Sequence, residues 1–220
     1  MRYGDGPETG FSVGDDAFVP LERCQDCWRR KNNHMKDFIR ENQWLSLCGL
    51  NCGLCTMRLG GHCPGCGGGS GNQPCRIAKC SLEHGKIAYC HECGEYPCEK
   101  YEGIDAFDSF ITHKRQKADL QRAAEIGIEN YNAEQKEKAE ILHRLLADYN
   151  DGRKKNFFCL AVNLLPMSGI RAVMDQIAAD EAANSMVQKE KSAYAAGMFR
   201  EAAGRQGIEL KLRKKTAADK

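Results

Sequence analysis

The chain has 220 residues, of which 42% are hydrophobic, a formal net charge of +2 and thirteen cysteines. This length suits one ordinary domain or two small ones, and the nearly balanced charge predicts no particular partner. A mean hydropathy of -0.57, with no apolar run near the roughly 20 residues that a bilayer requires, excludes a membrane-spanning helix. The polar, acidic N-terminus differs from a signal peptide, so we expect a cytoplasmic protein whose reduced thiols can bind metal.

The cysteines divide the chain into three predicted parts. Residues 1–45 form an extension, partly disordered, that contains the pair Cys24 and Cys27. Residues 46–103 form a cysteine-rich metal-binding module, and residues 104–220 contain only one further cysteine. Taken alone, the module has few large apolar side chains, and burying them would barely offset the entropy of ordering the segment. We therefore expect metal ions to stabilise it.

The spacing of the cysteines is typical of thiolate ligands. Two cysteines separated by two residues can bind one ion, because the turn between them curls around it. The predicted metal ligands are Cys24, Cys27, Cys48, Cys52, Cys55, Cys63, Cys66, Cys75, Cys80, Cys90, Cys93 and Cys98. Gly67 and Gly94 each follow a pair, and we expect both to adopt the positive φ that turns backbone N–H groups toward sulfur. These features predict two or three zinc ions, each held by four thiolates.

An iron–sulfur centre is the alternative. Cys48, Cys52 and Cys55 place three thiolates within a short loop, as in proteins whose loops hold three corners of a [4Fe-4S] cluster. The same spacing occurs in radical-SAM enzymes, but the alternating strands and helices that those enzymes need do not follow here. The sequence does not assign the cysteines to particular sites.

Four cysteine-rich runs occur in the order CGLNCGLC, CPGC, CRIAKC and CHECGEYPCEKY, followed downstream by KNFFC, AVNLLP and GIELKLR. This pattern resembles an uncharacterised bacterial and archaeal family, domain-of-unknown-function family 3795, over residues 46 to 215. The resemblance implies metal binding through the cysteines and brings no established activity with it. Cys24 and Cys27 lie outside the shared pattern.

Two helices are predicted directly after the module. The first covers residues 113–125, with Gly127 as its C-cap. For the second, Asn132 and Gln135 resemble a capping box. Apolar side chains then recur at helical spacing over residues 142–149, which predicts that one face of this helix is buried.

The remaining elements complete the predicted fold. The apolar run 157–165 predicts a buried helix that ends at Pro166, and Ser168 is the expected N-cap of the next helix. A further helix is expected over 181–203, and the alternating pattern of 208–213 predicts a short half-buried strand. The predicted fold class is a small metal-stabilised, zinc-knuckle-like cysteine-rich module followed by an α-helical domain with a short C-terminal strand.

The sequence contains no Ser/His/Asp, HExxH or phosphate-loop pattern, which favours a protein that is not an enzyme. Cys159 is predicted to be a small buried hydrophobe rather than a nucleophile. Two functions stay open: a zinc-binding adaptor for a protein partner, and a [4Fe-4S] electron carrier or redox sensor. A nucleic-acid partner would use the basic tail over residues 211–215, which we expect instead to be a solvated end.

Overall fold

The computed structural model describes residues 38–69 and 75–215. The predicted extension with Cys24 and Cys27 therefore lies outside the described residues, apart from residues 38–45. Within the described ranges the chain forms eight α-helices, three short 3-10 helices and no β-strand. The α-helices are α1 (Thr56–Leu59), α2 (Arg76–Glu83), α3 (Gln116–Ile126), α4 (Ile128–Asp148), α5 (Lys155–Leu164), α6 (Met167–Ala179), α7 (Glu181–Ser185) and α8 (Gln188–Arg205), and the 3-10 helices are Cys52–Leu54, Cys90–Glu92 and Glu99–Tyr101.

The structure confirms one predicted helix cap and corrects two. Gly127 ends α3 with a φ of 83°, as predicted. Asn132 does not cap a helix, because α4 already begins at Ile128. Ser168 is likewise inside α6, since Pro166 is the N-cap of that helix and its restricted φ starts the helix earlier. The long helix predicted over 181–203 is interrupted between α7 and α8.

One hydrophobic cluster, the helical core, lies between α4, α5, α6 and α8. Its fully buried side chains include Phe158 on α5 and Phe199 on α8, whose rings meet edge to face with centroids 6.1 Å apart. Leu54 from the cysteine-rich segment belongs to the same cluster and is 1% exposed. The helical core therefore contains a side chain from before residue 103.

A second cluster, the junction core, combines the cysteine-rich segment with α3 and α4. Its buried members are Phe38, Leu45, Leu47, Ile77, Ala78, Tyr89, Cys90, Tyr101, Leu120, Ala123 and Tyr131. Both clusters contain residues from before and after residue 103. The apolar side chains of the cysteine-rich segment, which are too few to stabilise it alone, are therefore buried against the helices. The domain boundary near residue 103 stays a prediction.

A buried polar network fixes the same junction. The Asn51 amide donates to Asp119 Oδ2 at 2.9 Å and to Asn163 Oδ1 at 3.3 Å. Its carbonyl oxygen accepts a 2.8 Å hydrogen bond from the Tyr131 hydroxyl. One asparagine of the CGLNC run is thus tied to α3, α4 and α5, and its polar atoms are satisfied although the side chain is buried.

The predicted C-terminal strand is wrong. Residues 208–213 carry no strand in the described part of the chain, because their backbone meets a loop rather than a partner strand. Arg213 N donates to the Asp108 carboxylate at 2.7 Å, and Asp108 N donates to Arg213 O at 2.7 Å. Ile208 and Leu210 pack against the helical core, which explains the alternating pattern without a sheet.

The basic tail, which we expected to be a solvated end, is exposed at Lys211, Lys214 and Lys215 and also makes contacts within the protein. Arg213 pairs with Asp108, and Lys214 Nζ donates to Ser109 O at 2.9 Å. Lys215 lies 5.5 Å from the centre of the Phe107 ring. Three of the basic side chains therefore serve contacts within the protein.

The prediction of a metal-stabilised, knuckle-like module is also wrong. Over residues 38–69 and 75–215, no three or more histidine, cysteine, aspartate or glutamate side chains are arranged to hold a metal ion. The segment is instead packed by apolar contacts with the helices, which supply the core it lacks by itself. None of the helices in the described ranges combines the length and apolar character needed to cross a membrane.

Candidate metal centre

Cysteines lie at the ends of the short helices in residues 38–103. Cys52 begins a 3-10 helix, Cys55 precedes α1 and Cys75 precedes α2. Cys90 begins the next 3-10 helix, and Cys98 precedes the last one. Backbone N–H groups in the first turn of a helix have no partner within it, so thiols at these positions can accept hydrogen bonds from the backbone. The eleven cysteines of the described ranges are free thiols.

Four of these thiols, Cys48, Cys52, Cys66 and Cys75, form what we call the inner thiol group. Cys48 and Cys66 each lie within electrostatic range of Cys75, and Cys52 lies within range of both Cys48 and Cys66. Cys48, Cys66 and Cys75 also pack against the junction core. These pairwise contacts link four cysteines from separate parts of the sequence.

Polar donors surround the inner thiol group. The Cys66 N–H opposes the rise in the pKa of Cys52 that burial causes, and the Leu47 N–H has the same effect on Cys66. The Ser46 hydroxyl lies 3.3 Å from the Cys48 sulfur. Burial raises the pKa of Cys48 to about 12 and also raises that of Cys52. These thiols are therefore protonated near neutral pH, and a bound metal ion would have to displace their protons.

A second set, Cys80, Cys90, Cys93 and Cys98, forms what we call the outer thiol group. Cys80 lies within electrostatic range of Cys93 and Cys98, and Cys90 lies within range of Cys80 and Cys98. Cys90 is the buried member, and burial raises its pKa to about 11. The other three are partly exposed, as are all four members of the inner group.

His84 lies beside the outer thiol group. Its Nδ1 is 3.5 Å from the Cys80 sulfur and 2.9 Å from the Cys80 carbonyl oxygen. Its Nε2 is 3.8 Å from a carboxylate oxygen of Glu95. The nearby Cys80 thiolate also raises the pKa of Lys100. His84 therefore contacts both the sulfur and the backbone of a member of this group.

The remaining metal-ligand candidates, Cys55 and Cys63, lie within electrostatic range of each other, and Cys55 is also within range of Cys52 in the inner group. Burial raises the pKa of Cys55, and the nearby backbone N–H groups of Met57 and Arg58 oppose that rise. Cys159 lies within range of Cys55, but it is 4% exposed within the helical core. Its predicted role as a small buried hydrophobe is confirmed by this packing.

In the described ranges the thiols lie near one another, but they are not arranged to hold a metal ion. The donor set nevertheless suits zinc, because each group has four sulfurs and the inner group has N–H donors directed at them. Binding would require the sulfurs of a group to move toward a common centre. The grouping also separates neighbours in sequence, since Cys66 is in the inner group while Cys63 is with Cys55.

The two glycines that follow the predicted metal-binding cysteine pairs differ in backbone conformation. Gly67 has a φ of 78°, as predicted, and Arg40 packs directly against it. Gly94 has no positive φ, so the prediction for it is wrong. The turn after Cys93 closes differently, through a hydrogen bond of 3.0 Å from Tyr96 N to Cys93 O.

Two buried polar residues beside the thiols were missed by sequence reasoning. Arg40 and Asn51 are 8% and 3% exposed, and both connect segments far apart in sequence. Asn51 lies between two predicted ligands, and an asparagine inside such a run is the only signal that could have drawn attention to it. Nothing in the spacing distinguishes Arg40 from the other arginines.

Comparison of the chain with protein-family models, curated proteins and solved structures finds no match. The resemblance to domain-of-unknown-function family 3795 therefore stays a prediction. The candidate function therefore depends on the chemistry of the inner and outer thiol groups.

Proposed function

We propose that this protein binds zinc through its inner and outer thiol groups and acts as a binding or adaptor module for a protein partner. The observation that supports zinc is that eight cysteines form two sets of four whose members interact electrostatically in pairs, with Cys90 also in range of Cys48 and Cys66. Four thiolates are the ligand set of closed zinc sites. Cys48, Cys52, Cys66 and Cys75 would hold one ion, and Cys80, Cys90, Cys93 and Cys98 would hold the other.

The zinc would act as a Lewis acid that binds thiolates, with no redox change of its own. Each group must lose its thiol protons on binding, so uptake should release protons into the medium. The protein's part is to present the sulfurs near one another. For the inner group it also supplies N–H donors from Leu47 and Cys66.

Elemental analysis of protein purified without oxygen tests the proposal. We expect about two zinc ions per chain, as two groups of four thiolates imply. Cys52→Ala should lose the inner ion and Cys93→Ala the outer one, whereas Cys159→Ala should keep both. Retention of all zinc in both ligand variants would contradict the assignment of the sites.

The iron–sulfur alternative gives a different result in the same experiment. A brown sample with a broad absorption band near roughly 400 nm and acid-labile sulfide would show that the thiols hold [4Fe-4S] clusters and not zinc. The protein would then be assigned as an electron carrier or redox sensor and not as an adaptor. The close placement of Cys48 and Cys52 is the feature that such a cluster would use. Metal and sulfide content therefore decide between the two functions.

Exposed apolar side chains support the adaptor part of the proposal. Ile39, Phe110 and Val187 are 80%, 65% and 63% exposed. Such side chains occur where partner proteins bind, although single ones are common on any surface. A photoreactive residue at position 110 should yield one defined adduct in cells, whereas the same residue at exposed position 201 should not. Equal labelling at both positions would argue against a partner at Phe110.

A further inference from the structure

A serine and a histidine on the loop before α3 form a hydrogen-bonded pair outside the two thiol groups. Ser109 Oγ lies 3.1 Å from His113 Nε2, and the other ring nitrogen, Nδ1, lies 3.0 Å from Ile104 O. Ser109 is exposed and His113 is half-buried, so a small molecule can reach the hydroxyl from solvent. This arrangement has the three parts of an activated nucleophile: a hydroxyl, a base and a group that orients the base.

The contact with Ile104 assigns the proton on the His113 ring. A backbone carbonyl oxygen accepts hydrogen bonds and cannot donate them, so Nδ1 carries the proton and donates to Ile104 O. In the neutral ring Nε2 is then an acceptor, and the Ser109 hydroxyl donates to it. A second acceptor, Ile111 O, is 3.5 Å from the hydroxyl, which is too long for a strong O–H···O bond. The hydroxyl proton therefore points at the nitrogen that can remove it.

Contacts with other parts of the chain hold this loop in place. The backbone N–H of His113 donates to Asp108 Oδ1 at 2.7 Å, and the same carboxylate pairs with Arg213 in the C-terminal segment. Thr56 Oγ1 donates to Phe110 O at 3.3 Å, which joins the loop to α1. The serine and the histidine thus lie among residues tied to distant segments, so their geometry does not depend on the loop alone.

Two neighbours of the pair define the substrate that it can accept. Phe110, directly after the serine, is 65% exposed and offers an apolar surface to an acyl chain. Lys214 Nζ donates to Ser109 O at 2.9 Å, which places an ammonium group beside the nucleophile. An ammonium group has three N–H donors, so Lys214 can also donate to an oxygen that becomes negatively charged during the reaction. This combination suits an uncharged carboxylic ester with an apolar acyl group and a leaving group of low basicity.

We propose that Ser109 and His113 hydrolyse such esters by acyl transfer, an activity separate from the proposed zinc binding. The Ser109 oxygen forms a bond to the ester carbonyl carbon while His113 Nε2 takes the hydroxyl proton. The bond from that carbon to the leaving oxygen then breaks, and His113 gives the proton to the leaving alkoxide or phenolate. Water attacks the acyl-serine with the help of the same base, which releases the carboxylic acid and restores the Ser109 hydroxyl.

Labelling of the full-length protein with an alkyl fluorophosphonate tests the nucleophile, because an activated serine oxygen displaces fluoride from this reagent. Mass spectrometry should locate the adduct at Ser109. His113→Gln keeps a polar side chain but removes the base, so labelling should slow by about 100-fold, the lower end for general-base catalysis. Ser185 is the matched control, since its exposed hydroxyl donates to a backbone carbonyl, Ala182 O, at 2.9 Å. Equal labelling of Ser185 and Ser109, or a wild-type rate in His113→Gln, would overturn the proposal.

Hydrolysis of p-nitrophenyl butyrate tests turnover. Free thiols also react with activated esters, so the relevant rate is the difference between wild type and Ser109→Ala, which contain the same thiols. Wild type should release several equivalents of p-nitrophenolate above that background, and Ser185→Ala should match wild type. Phe110→Ala should raise KM for the butyrate ester more than for the acetate ester, because it removes the apolar surface that a longer chain contacts. Equal rates in wild type and Ser109→Ala would overturn the proposal without bearing on zinc binding.

Discussion

In the described parts of residues 38–103, no helix is longer than the eight residues of α2, whereas α4 alone has 21 residues. In the helices most backbone groups bond to one another, but in the irregular region side chains must satisfy many of them. Ser46 Oγ accepts the Leu50 N–H at 2.7 Å, and Glu92 accepts the N–H groups of both Ala88 and Tyr89. The earlier region should therefore depend on polar and glycine positions, and the later one on large apolar side chains.

The largest effect should come from the helical region. Phe158→Ala empties a fully buried position between α5 and α8, and such truncations cost about 3–5 kcal/mol of the free energy of unfolding. Urea denaturation measures this loss. Cys159→Ala, one position away, should cost much less because it removes only a sulfur atom; comparable losses would show that the packing of Phe158 is not special.

In the cysteine-rich region a polar residue should matter almost as much. Asn51→Ala removes the hydrogen-bond partner of Asn163 Oδ1 and of the Tyr131 hydroxyl, while Asp119 keeps its bond from Arg115. An unsatisfied buried group costs roughly 1–3 kcal/mol, so a total of about 3 kcal/mol is expected. Asn130→Ala is the control, because the Asn130 side chain forms one exposed hydrogen bond.

Hydrogen exchange on the Asn51→Ala protein would sharpen the comparison. If Asn51 joins the two regions, protection should fall both in residues 46–69 and in α3 and α4. Loss confined to residues 46–69 would instead favour separate units and the predicted boundary near residue 103.

Two glycines test how closely the cysteine-rich region packs on the helices. A Cβ on Gly49 would overlap the Gln116 carbonyl oxygen at the start of α3, and the residue has a φ of 98°. Strain and overlap together should make Gly49→Ala lose about 2–3 kcal/mol of stability. Gly94→Ala should be nearly neutral, since no atom lies within 4 Å of its added Cβ. Similar melting temperatures for the two variants would mean that α3 is not packed tightly here.

Sequence patterns correctly predicted the helices whose formation depends on neighbouring residues along the chain. The apolar periodicity of α4 and the apolar run of α5 gave correct helices, since one buried face suffices to define each. The alternating apolar and polar residues of 208–213 wrongly predicted a strand, because Ile208 and Leu210 pack on helices and have no partner strand. The contacts that bring Cys48 close to Cys66 and Cys75 join residues far apart in sequence, and the cysteine spacing does not encode them.

The loop between the two regions should show the smallest effect and a dependence on pH. The Asp108 carboxylate is fully buried and binds the Arg213 backbone and guanidinium, together with the His113 N–H at 2.7 Å. Burial alone would raise the pKa of Asp108, but these hydrogen bonds and the Arg213 charge hold it below its ordinary value. The carboxylate therefore contributes stability above its unfolded pKa of about 3.9, and that contribution is lost as pH falls through the lower folded pKa.

Asp108→Asn should thus lower the free energy of unfolding by about 1.5 kcal/mol at pH 7, the lower end for hydrogen bonds to a charged group. Because protonation removes the same charge in the wild type, the difference between the two proteins should shrink in more acidic solution. Urea denaturation across a pH series measures it, with Asp175→Asn as an exposed control. A difference that stays constant down to the acid limit would show that shape, and not the charge of Asp108, ties the C-terminal segment to this loop.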